Sequence, residues 1–163
     1  ANTDALTGLY NRRFFYEYMN ENRKENQLSL LYVDLDDFKK VNDAHGHHIG
    51  DGALELVARL MREAFPGDFI VRLGGDEFLI CLVGERSLAF LEEKANRLLQ
   101  SLLGAFQASD YLRVMSASIG IASSADPGTK LDDLVRQSDI AMYAAKQSGK
   151  SRCCVYSSGL IKK

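Results

Sequence analysis

The stretch that decides the fold is Phe69-Ile70-Val71-Arg72-Leu73-Gly74-Gly75-Asp76-Glu77-Phe78-Leu79-Ile80-Cys81-Leu82-Val83. Two apolar runs, Phe69 to Leu73 and Phe78 to Val83, have the length and residue types of buried strands. The four residues between them begin with two glycines, which is typical of a hairpin turn. The stretch therefore predicts a β-hairpin with two acidic side chains, Asp76 and Glu77, at its tip.

The segments on either side of this hairpin alternate between helical and strand patterns. Apolar residues at a spacing of 3.6, together with capping residues, predict four helices, which begin near Asn11, before Leu54, at Ser87 and at Thr129. Apolar runs predict three further strands, over Leu28 to Val33, Leu112 to Ala122 and Cys153 to Tyr156. Because a hairpin lies among these elements, the sheet cannot be purely parallel. We expect one domain over residues 1–163, of the α/β (α+β) class, with a mixed central sheet covered by helices.

Bulk composition also describes a single globular domain. The chain has 163 residues, 46% of them hydrophobic and 26% charged. This length is sufficient for one hydrophobic core and short for two. A net charge of −2 gives no basic field for a nucleic-acid partner. The three cysteines, two of them adjacent at Cys153 and Cys154, match neither a disulfide framework nor a zinc motif. No apolar run has membrane-spanning length. We expect a cytoplasmic domain without membrane contact, cut from a longer protein that could itself be membrane-anchored.

Two acidic clusters adjoin the predicted strands. Asp34, Asp36 and Asp37 follow the first strand, and Asp76 and Glu77 form the hairpin tip. If that strand and the hairpin are neighbours, Asp34 and Asp76 converge, and the two carboxylates repel each other unless a hard cation such as Mg²⁺ lies between them. Each cluster alone is more often a helix cap or a turn than a catalytic site, and the presence of both beside core strands makes the two interpretations about equal. From the residues alone, the prediction is a metal-phosphate site.

Five ordered blocks resemble the GGDEF family of diguanylate cyclases. The segment Arg72 to Phe78 contains Gly-Gly-Asp-Glu-Phe, the motif that names the family. The other matching blocks are Asp4 to Arg13, Asp34 to Asp51, Ser118 to Ala122 and Ala141 to Lys150. The resemblance spans nearly the whole chain. It implies a palm-like fold, similar to the class III nucleotide cyclase domains, and an enzyme of bacterial second-messenger signalling that condenses two GTP into cyclic di-GMP and two pyrophosphates.

The resemblance also implies a catalytic metal site. Asp34 and Asp76 would bind metal through their side chains and Leu35 through its carbonyl, and two Mg²⁺ (or Mn²⁺) ions would bridge the triphosphate. Glu77 matches a position that is either a further metal ligand or the base for the attacking 3′-hydroxyl. Arg72 could stabilise transition-state charge, although an arginine beside a turn is more often a solvated surface residue.

A set of substrate-binding residues follows from the same resemblance. Asn42 and Asp51 match the pair that reads guanine, and a carboxylate suits the donor edge of guanine and not that of adenine. The positions that would bind phosphate, or allow the backbone to approach it, are Lys39, Lys146, Lys150, the N–H groups around Asp37 and Phe38, and the glycines Gly74 and Gly75. We expect loop and packing roles for His45, His47 and His48.

One segment departs from the family pattern. Many members carry Arg-x-x-Asp before the hairpin as a product-binding inhibitory site, whereas this chain has Phe65-Pro66-Gly67-Asp68. The missing arginine predicts that ordinary product inhibition is lost.

Catalysis in this family requires two facing subunits. Each subunit would hold one GTP, so we expect a transient homodimer that is assembled by an N-terminal sensory or dimerisation region outside this sequence. One alternative is a silent GTP-binding module, which the intact Asp76 and Glu77 disfavour. Another is an adenine-using cyclase, which Asp51 disfavours.

Overall fold

The computed structural model describes residues 1–124 and 128–160, which contain six strands and five helices. In chain order they are β1 (Tyr10–Asn11), α1 (Arg12–Asn22), β2 (Leu28–Asp36), α2 (Phe38–His45), α3 (His47–Ala64), β3 (Phe69–Gly74), β4 (Glu77–Val83), α4 (Leu88–Gln107), β5 (Ser116–Ser123), α5 (Leu131–Gln147) and β6 (Arg152–Val155).

All six strands join one sheet in the order β1-β3-β4-β2-β5-β6. The predicted hairpin is β3–β4, and its two strands are antiparallel. Strand β2 lies between β4 and β5 and is antiparallel to both, whereas the outer pairs β1–β3 and β5–β6 are parallel. The predicted mixed sheet is therefore confirmed.

Alternation along β2 divides the core between the two faces of the sheet. Leu31 and Val33 face the layer of α3 and α4, in a cluster with Phe78, Ile80 and Ile119. On the other face, Leu30 and Tyr32 belong to a cluster with side chains of α1 and α5, among them Phe15, Met19, Leu134 and Met142. Asp34 and Asp36 continue the second alternation, so they lie on the face that α5 covers.

The helix caps were predicted with mixed success. Asn11 and Ser87 do cap α1 and α4, since their side-chain oxygens accept from Phe14 N at 2.9 Å and Phe90 N at 3.1 Å. The prediction for Thr129 is wrong, because α5 begins two residues later and its N-cap is Lys130. The Thr129 carbonyl instead accepts a hydrogen bond from the Arg23 guanidinium, which holds this residue outside the helix.

Several boundaries also differ from the predicted ones. The loop role expected for His45, His47 and His48 is wrong, because His45 ends α2, His47 and His48 begin α3, and only Gly46, at φ +87°, separates the two helices. Strand β2 runs on to Asp36 because β5 pairs with it as far as Ser116. The β5 strand begins at Ser116 and not at Leu112, since a turn precedes it. Strand β1 was not predicted, because two residues leave no periodic signal.

The described residues contain no helix that is both long and apolar enough to cross a membrane. The three cysteines are free thiols, and Cys81 is buried in the sheet.

Candidate active site

The acidic residues meet where β2 ends and the β3–β4 hairpin turns. Asp34 pairs with Glu77 across β2 and β4, and the Leu35 N–H donates to the Asp76 carbonyl at 3.2 Å. This contact ties the hairpin turn to the central strand. The predicted convergence of the two acidic clusters is confirmed.

An open cavity of about 390 Å³ lies at this edge of the sheet. It is lined by Asp34, Leu35, Asp37, Phe38, Lys39, Lys40, Asp43, Asp76 and Lys146. Seven of these nine residues are predicted metal- or phosphate-binding positions, and the other two, Lys40 and Asp43, add charge at the rim. A larger cavity of about 550 Å³ lies between the end of α1 and the start of α5, and none of the predicted site residues line it.

The positive charge of Lys146 compensates Asp34 and Asp76 only in part. The Asp34 side chain is 14% exposed, and burial together with the negative charge of Asp76 raises its pKa to about 7, although Lys146 opposes the shift. Burial also raises the pKa of Asp76. Two partly buried carboxylates that repel each other fit a hard divalent cation such as Mg²⁺. No three His, Cys, Asp or Glu side chains in the described part of the chain are grouped to hold a metal, so carbonyl, water or phosphate oxygens would complete the shell.

Glu77 lies beside Asp34 and carries a contact that the sequence did not suggest. The Tyr32 hydroxyl lies near the Glu77 carboxylate, and burial followed by the charge of Glu77 raises the Tyr32 pKa. The alternation of β2, which places Tyr32 and Asp34 on one face, is the signal that could have indicated this contact.

Asp36 is the principal site residue that sequence reasoning left without a role. Its carboxylate is fully buried and accepts from Ser116 Oγ at 2.6 Å, Ser118 Oγ at 2.7 Å, Lys146 Nζ at 2.8 Å and Ser151 N at 3.1 Å. Burial alone would raise its pKa, but these hydrogen bonds outweigh it and lower the pKa. The polar Ser116 and Ser118, alternating along β5, were the available signal.

The three predicted phosphate-binding lysines each form an ion pair with an aspartate. Lys146 Nζ lies 2.8 Å from Asp36 Oδ1 and 3.3 Å from Asp34 Oδ1. Lys150 Nζ lies 3.2 Å from Asp37 Oδ1. The exposed Lys39 pairs with Asp43 at 2.8 Å. Burial opposes charge on Lys146, but its bond to Asp36 and the charge of Asp34 raise its pKa, so it is a cation at this site.

The predicted guanine-reading residues lie beside the cavity and not in its wall. Asn42, on α2, has a buried Oδ1 without a hydrogen-bond partner within residues 1–124 and 128–160. It lies against Gly50, where any larger side chain would overlap it, and the ring of Phe38 is also adjacent to Gly50. Asp51 follows on α3 and is exposed. The Asn42 oxygen is therefore enclosed by the fold, and the half-buried side chain is left with its amide nitrogen to contact a ligand.

Arg72 is held by the hairpin and by the N-terminal segment. Its Nε and Nη2 donate to the Gly75 carbonyl at 3.1 and 2.8 Å, and its Nη1 donates to Asp4 at 3.2 Å. The side chain is 16% exposed, so the alternative of a solvated surface arginine is wrong. The bound carbonyl belongs to a turn in which Gly74 and Gly75 have φ of +145° and +50°, conformations that favour glycine.

The sheet of this chain has antiparallel central strands, parallel outer pairs and acidic residues at one edge, which is the arrangement of palm-like cyclase domains. The chain belongs to the GGDEF family: residues 1–152 match the family model described as diguanylate cyclase, GGDEF domain.

The curated relatives come from several bacteria. The chain is 38% identical over 160 residues to the cyclic di-GMP phosphodiesterase PdeR of Escherichia coli, covering 96% of this chain and 24% of that protein. It is 33% identical over 165 residues to a diguanylate cyclase of Vibrio cholerae, covering 96% of this chain and 50% of that protein. The chain therefore spans half or less of the length of these relatives.

A solved structure confirms the predicted fold. The GGDEF domain of DgcB from Caulobacter crescentus, crystallised in complex with c-di-GMP, superposes with a TM-score of 0.85 at 28% identity and 95% coverage of both chains. The palm-like α+β architecture predicted from the sequence is that of this domain.

Proposed function

We propose that this domain condenses two GTP molecules into cyclic di-GMP. The single observation that carries the proposal is the convergence of Asp34, Asp76 and Lys146 on one cavity in a chain of the GGDEF family. In each of two equivalent steps a 3′-hydroxyl oxygen forms a bond to an α-phosphorus, the bond from that phosphorus to pyrophosphate breaks, and the hydroxyl proton is released. The products balance as one cyclic di-GMP and two pyrophosphates.

The acidic edge would supply the metal site. Asp34, Asp76 and the Leu35 carbonyl would hold Mg²⁺ or Mn²⁺, at two ions per site, which when bound polarise the α-phosphate and favour the ionised hydroxyl. Glu77 would be a further ligand or the base, since the pairing of β2 with β4 places it opposite Asp34. Arg72 would act by holding the hairpin turn, because its guanidinium is already bound to Gly75 and Asp4.

The substrate contacts would extend from the cavity towards α2 and α3. Lys146 and Lys150 would meet the phosphates with Lys39 and with the N–H groups around Asp37 and Phe38, and Gly74 and Gly75 would allow the nucleotide to approach the turn. Asn42, which is half-buried, would donate from its amide nitrogen to guanine O6, and Asp51 would accept from guanine N–H groups.

Catalysis would need a second copy of the domain. One site holds one GTP, so two sites must face each other, and a sensory or dimerising region elsewhere in the full-length protein would bring them together in the cytoplasm. Specific activity that rises with protein concentration would support this step, whereas constant specific activity would contradict it.

The test is incubation of concentrated protein with GTP and Mg²⁺, followed by chromatographic separation of the products, with Asp76→Ala as the control. Cyclic di-GMP from the wild type and none from the variant would support the proposal. If the wild type gives no product even when forced to dimerise through a fused coiled coil, the proposal fails.

A second candidate is a nucleotide-binding module that regulates an attached enzyme. The observation that favours it is that the chain matches about a quarter of a relative that is named a phosphodiesterase. GTP binding that requires metal, without product from the fused dimer, would identify this function.

We also propose that ordinary product inhibition is lost. Phe65, which stands where the family has arginine, is 1% exposed in the core and supplies no guanidinium there. The cations near Asp68 are instead Arg86 and Lys94, whose Nζ lies 4.7 Å from the centre of the Phe65 ring. Activity that stays constant up to high micromolar cyclic di-GMP would support this, and strong non-competitive inhibition would refute it.

A further inference from the structure

The buried Asp36 carboxylate joins three parts of the fold. It accepts from Ser116 and Ser118 on β5, from Lys146 near the end of α5, and from the main chain of Ser151 in the turn beyond α5. These donors hold the carboxylate in one position, and its side chain has no exposed surface. Asp36 therefore contacts none of the proposed substrate directly.

Only one of these four donors carries a charge. The two serines and the amide are neutral, so Lys146 alone compensates the buried negative charge of Asp36. A buried carboxylate without a cation is costly, which makes this ion pair difficult to separate. The pair confines the flexible lysine side chain, whose ammonium group would otherwise sample many positions.

The confined ammonium group lies at the wall of the cavity. Its Nζ is 3.3 Å from Asp34 Oδ1, and Lys146 lines the cavity while Asp36 does not. Without Asp36, the nearest anion left for Lys146 would be Asp34, and a closer pair there would compete with any cation for that carboxylate.

We infer that Asp36 is a positioning residue that holds Lys146 for the triphosphate. The inference rests on the proposed function, in which this cavity binds GTP. Asp36 acts through the lysine: it fixes a positive charge at the wall and prevents that charge from moving closer to Asp34 than the present 3.3 Å. The geometry assigns to Asp36 an effect on phosphate binding and none on guanine binding.

A double-mutant cycle tests this assignment by comparing GTP with GMP, which share guanine but not the triphosphate. Dissociation constants for both nucleotides in Mg²⁺ would be measured by NMR titration for the wild type, Asp36→Asn, Lys146→Met and the double variant. We expect each single variant to reduce the preference for GTP over GMP about ten-fold, and the double variant to reduce it no further than Lys146→Met does. Ser118→Ala, which keeps the ion pair, should change the preference less than about two-fold.

The outcomes separate the inference from the proposed function. A wild type that binds GTP no more tightly than GMP would overturn both. A wild type that prefers GTP as expected would leave the proposed function standing. The inference then fails if Asp36→Asn keeps the wild-type preference for GTP, or if Ser118→Ala reduces that preference as much as Asp36→Asn does. It also fails if the double variant reduces the preference by the product of the two single-variant factors. If Asp36→Asn alone does not fold, the double variant, which removes both charges of the Asp36–Lys146 pair, is compared with Lys146→Met. Equal preferences for GTP over GMP in these two variants support the inference, and a lower preference in the double variant refutes it.

Discussion

Asp34 and Asp36 are two residues apart on the same face of β2, yet their surroundings have opposite effects. Asp36 is surrounded by four donors, and its pKa is lowered in spite of burial. Asp34 has Lys146 at 3.3 Å but faces the charge of Asp76, and its pKa is raised to about 7. Two aspartates on one strand thus differ: Asp36, whose charge is compensated by its donors, is the satisfied site, and Asp34, whose charge is compensated only in part, is the unsatisfied site.

The difference shows where the fold keeps binding capacity for a ligand. Satisfying a buried carboxylate stabilises the folded chain, whereas leaving one short of positive charge costs stability unless something else binds there. Asp36 therefore supports the structure and its neighbour Lys146, while Asp34 and Asp76 retain the capacity to bind a cation. Removing each carboxylate in turn should separate these roles.

The largest expected effect is on activity at the unsatisfied site. Asp34→Asn removes a proposed metal ligand but preserves shape, so cyclic di-GMP formation should fall on the order of 10³-fold. The measurement is product formation from GTP in Mg²⁺ at a protein concentration where the wild type is active. Asp110→Asn, at an exposed surface ion pair, is the matched control and should leave activity unchanged. An Asp34→Asn variant with more than a tenth of wild-type activity would contradict the metal assignment.

The satisfied site should show the larger loss of stability. Asp36→Asn leaves the Lys146 ammonium without its closest anion, so the free energy of unfolding should fall by about 3 kcal/mol at pH 7. Because the folded pKa of Asp36 is lowered, its contribution is present above pH 3.8 and is lost as the pH falls through the lower folded value. Urea denaturation without metal, with Asp110→Asn again as control, measures this loss. Equal stability of Asp36→Asn and the wild type would mean that the network contributes nothing net.

These two carboxylates also show how far the sequence could predict the site. Strand alternation, glycines at a turn and the ordered motifs sufficed for the hairpin, the mixed sheet and the meeting of Asp34 with Asp76. The same alternation placed Asp36 beside Asp34 but could not predict its partners. Those depend on the pairing of β2 with β5 and on where α5 ends, both of which are tertiary contacts between segments 80 to 115 residues apart.

Local errors have the same origin. Thr129 has the chemistry of a cap, yet Arg23, which is 106 residues away in the chain, holds its carbonyl outside the helix. For Arg72 the alternative of a solvated side chain stayed open because Asp4, its partner, is 68 residues away. Local propensity predicts what a residue can do, and long-range contacts determine which of these possibilities is realised.

The stability contributed by Asp34 should depend on pH with the opposite sign to that of Asp36, and the effect should be smaller. A folded pKa raised to about 7 means that Asp34 contributes stability below pH 3.8 that is lost as the pH rises to about 7. In EDTA, wild-type stability should therefore decline over this range relative to Asp34→Asn, which should be more stable on the order of 2 kcal/mol at pH 8. Parallel stability–pH curves for the two proteins would contradict this. Added Mg²⁺ should reduce the difference by stabilising the wild type alone.

The smallest expected effect extends the comparison from carboxylates to an amide. Asn42 Oδ1 is buried without a partner in the described residues, so Asn42→Ala loses no hydrogen bond at that atom and should change the free energy of unfolding by less than about 1 kcal/mol. The same variant removes the proposed amide donor to guanine, so KM for GTP should rise about ten-fold while kcat changes little. Steady-state kinetics measured beside thermal unfolding check both parts, with Asn96→Ala, on the exposed side of α4, as control. A large loss of stability without a change in KM would place Asn42 with Asp36 among the groups that the fold already satisfies, and guanine recognition would then depend on Asp51 alone.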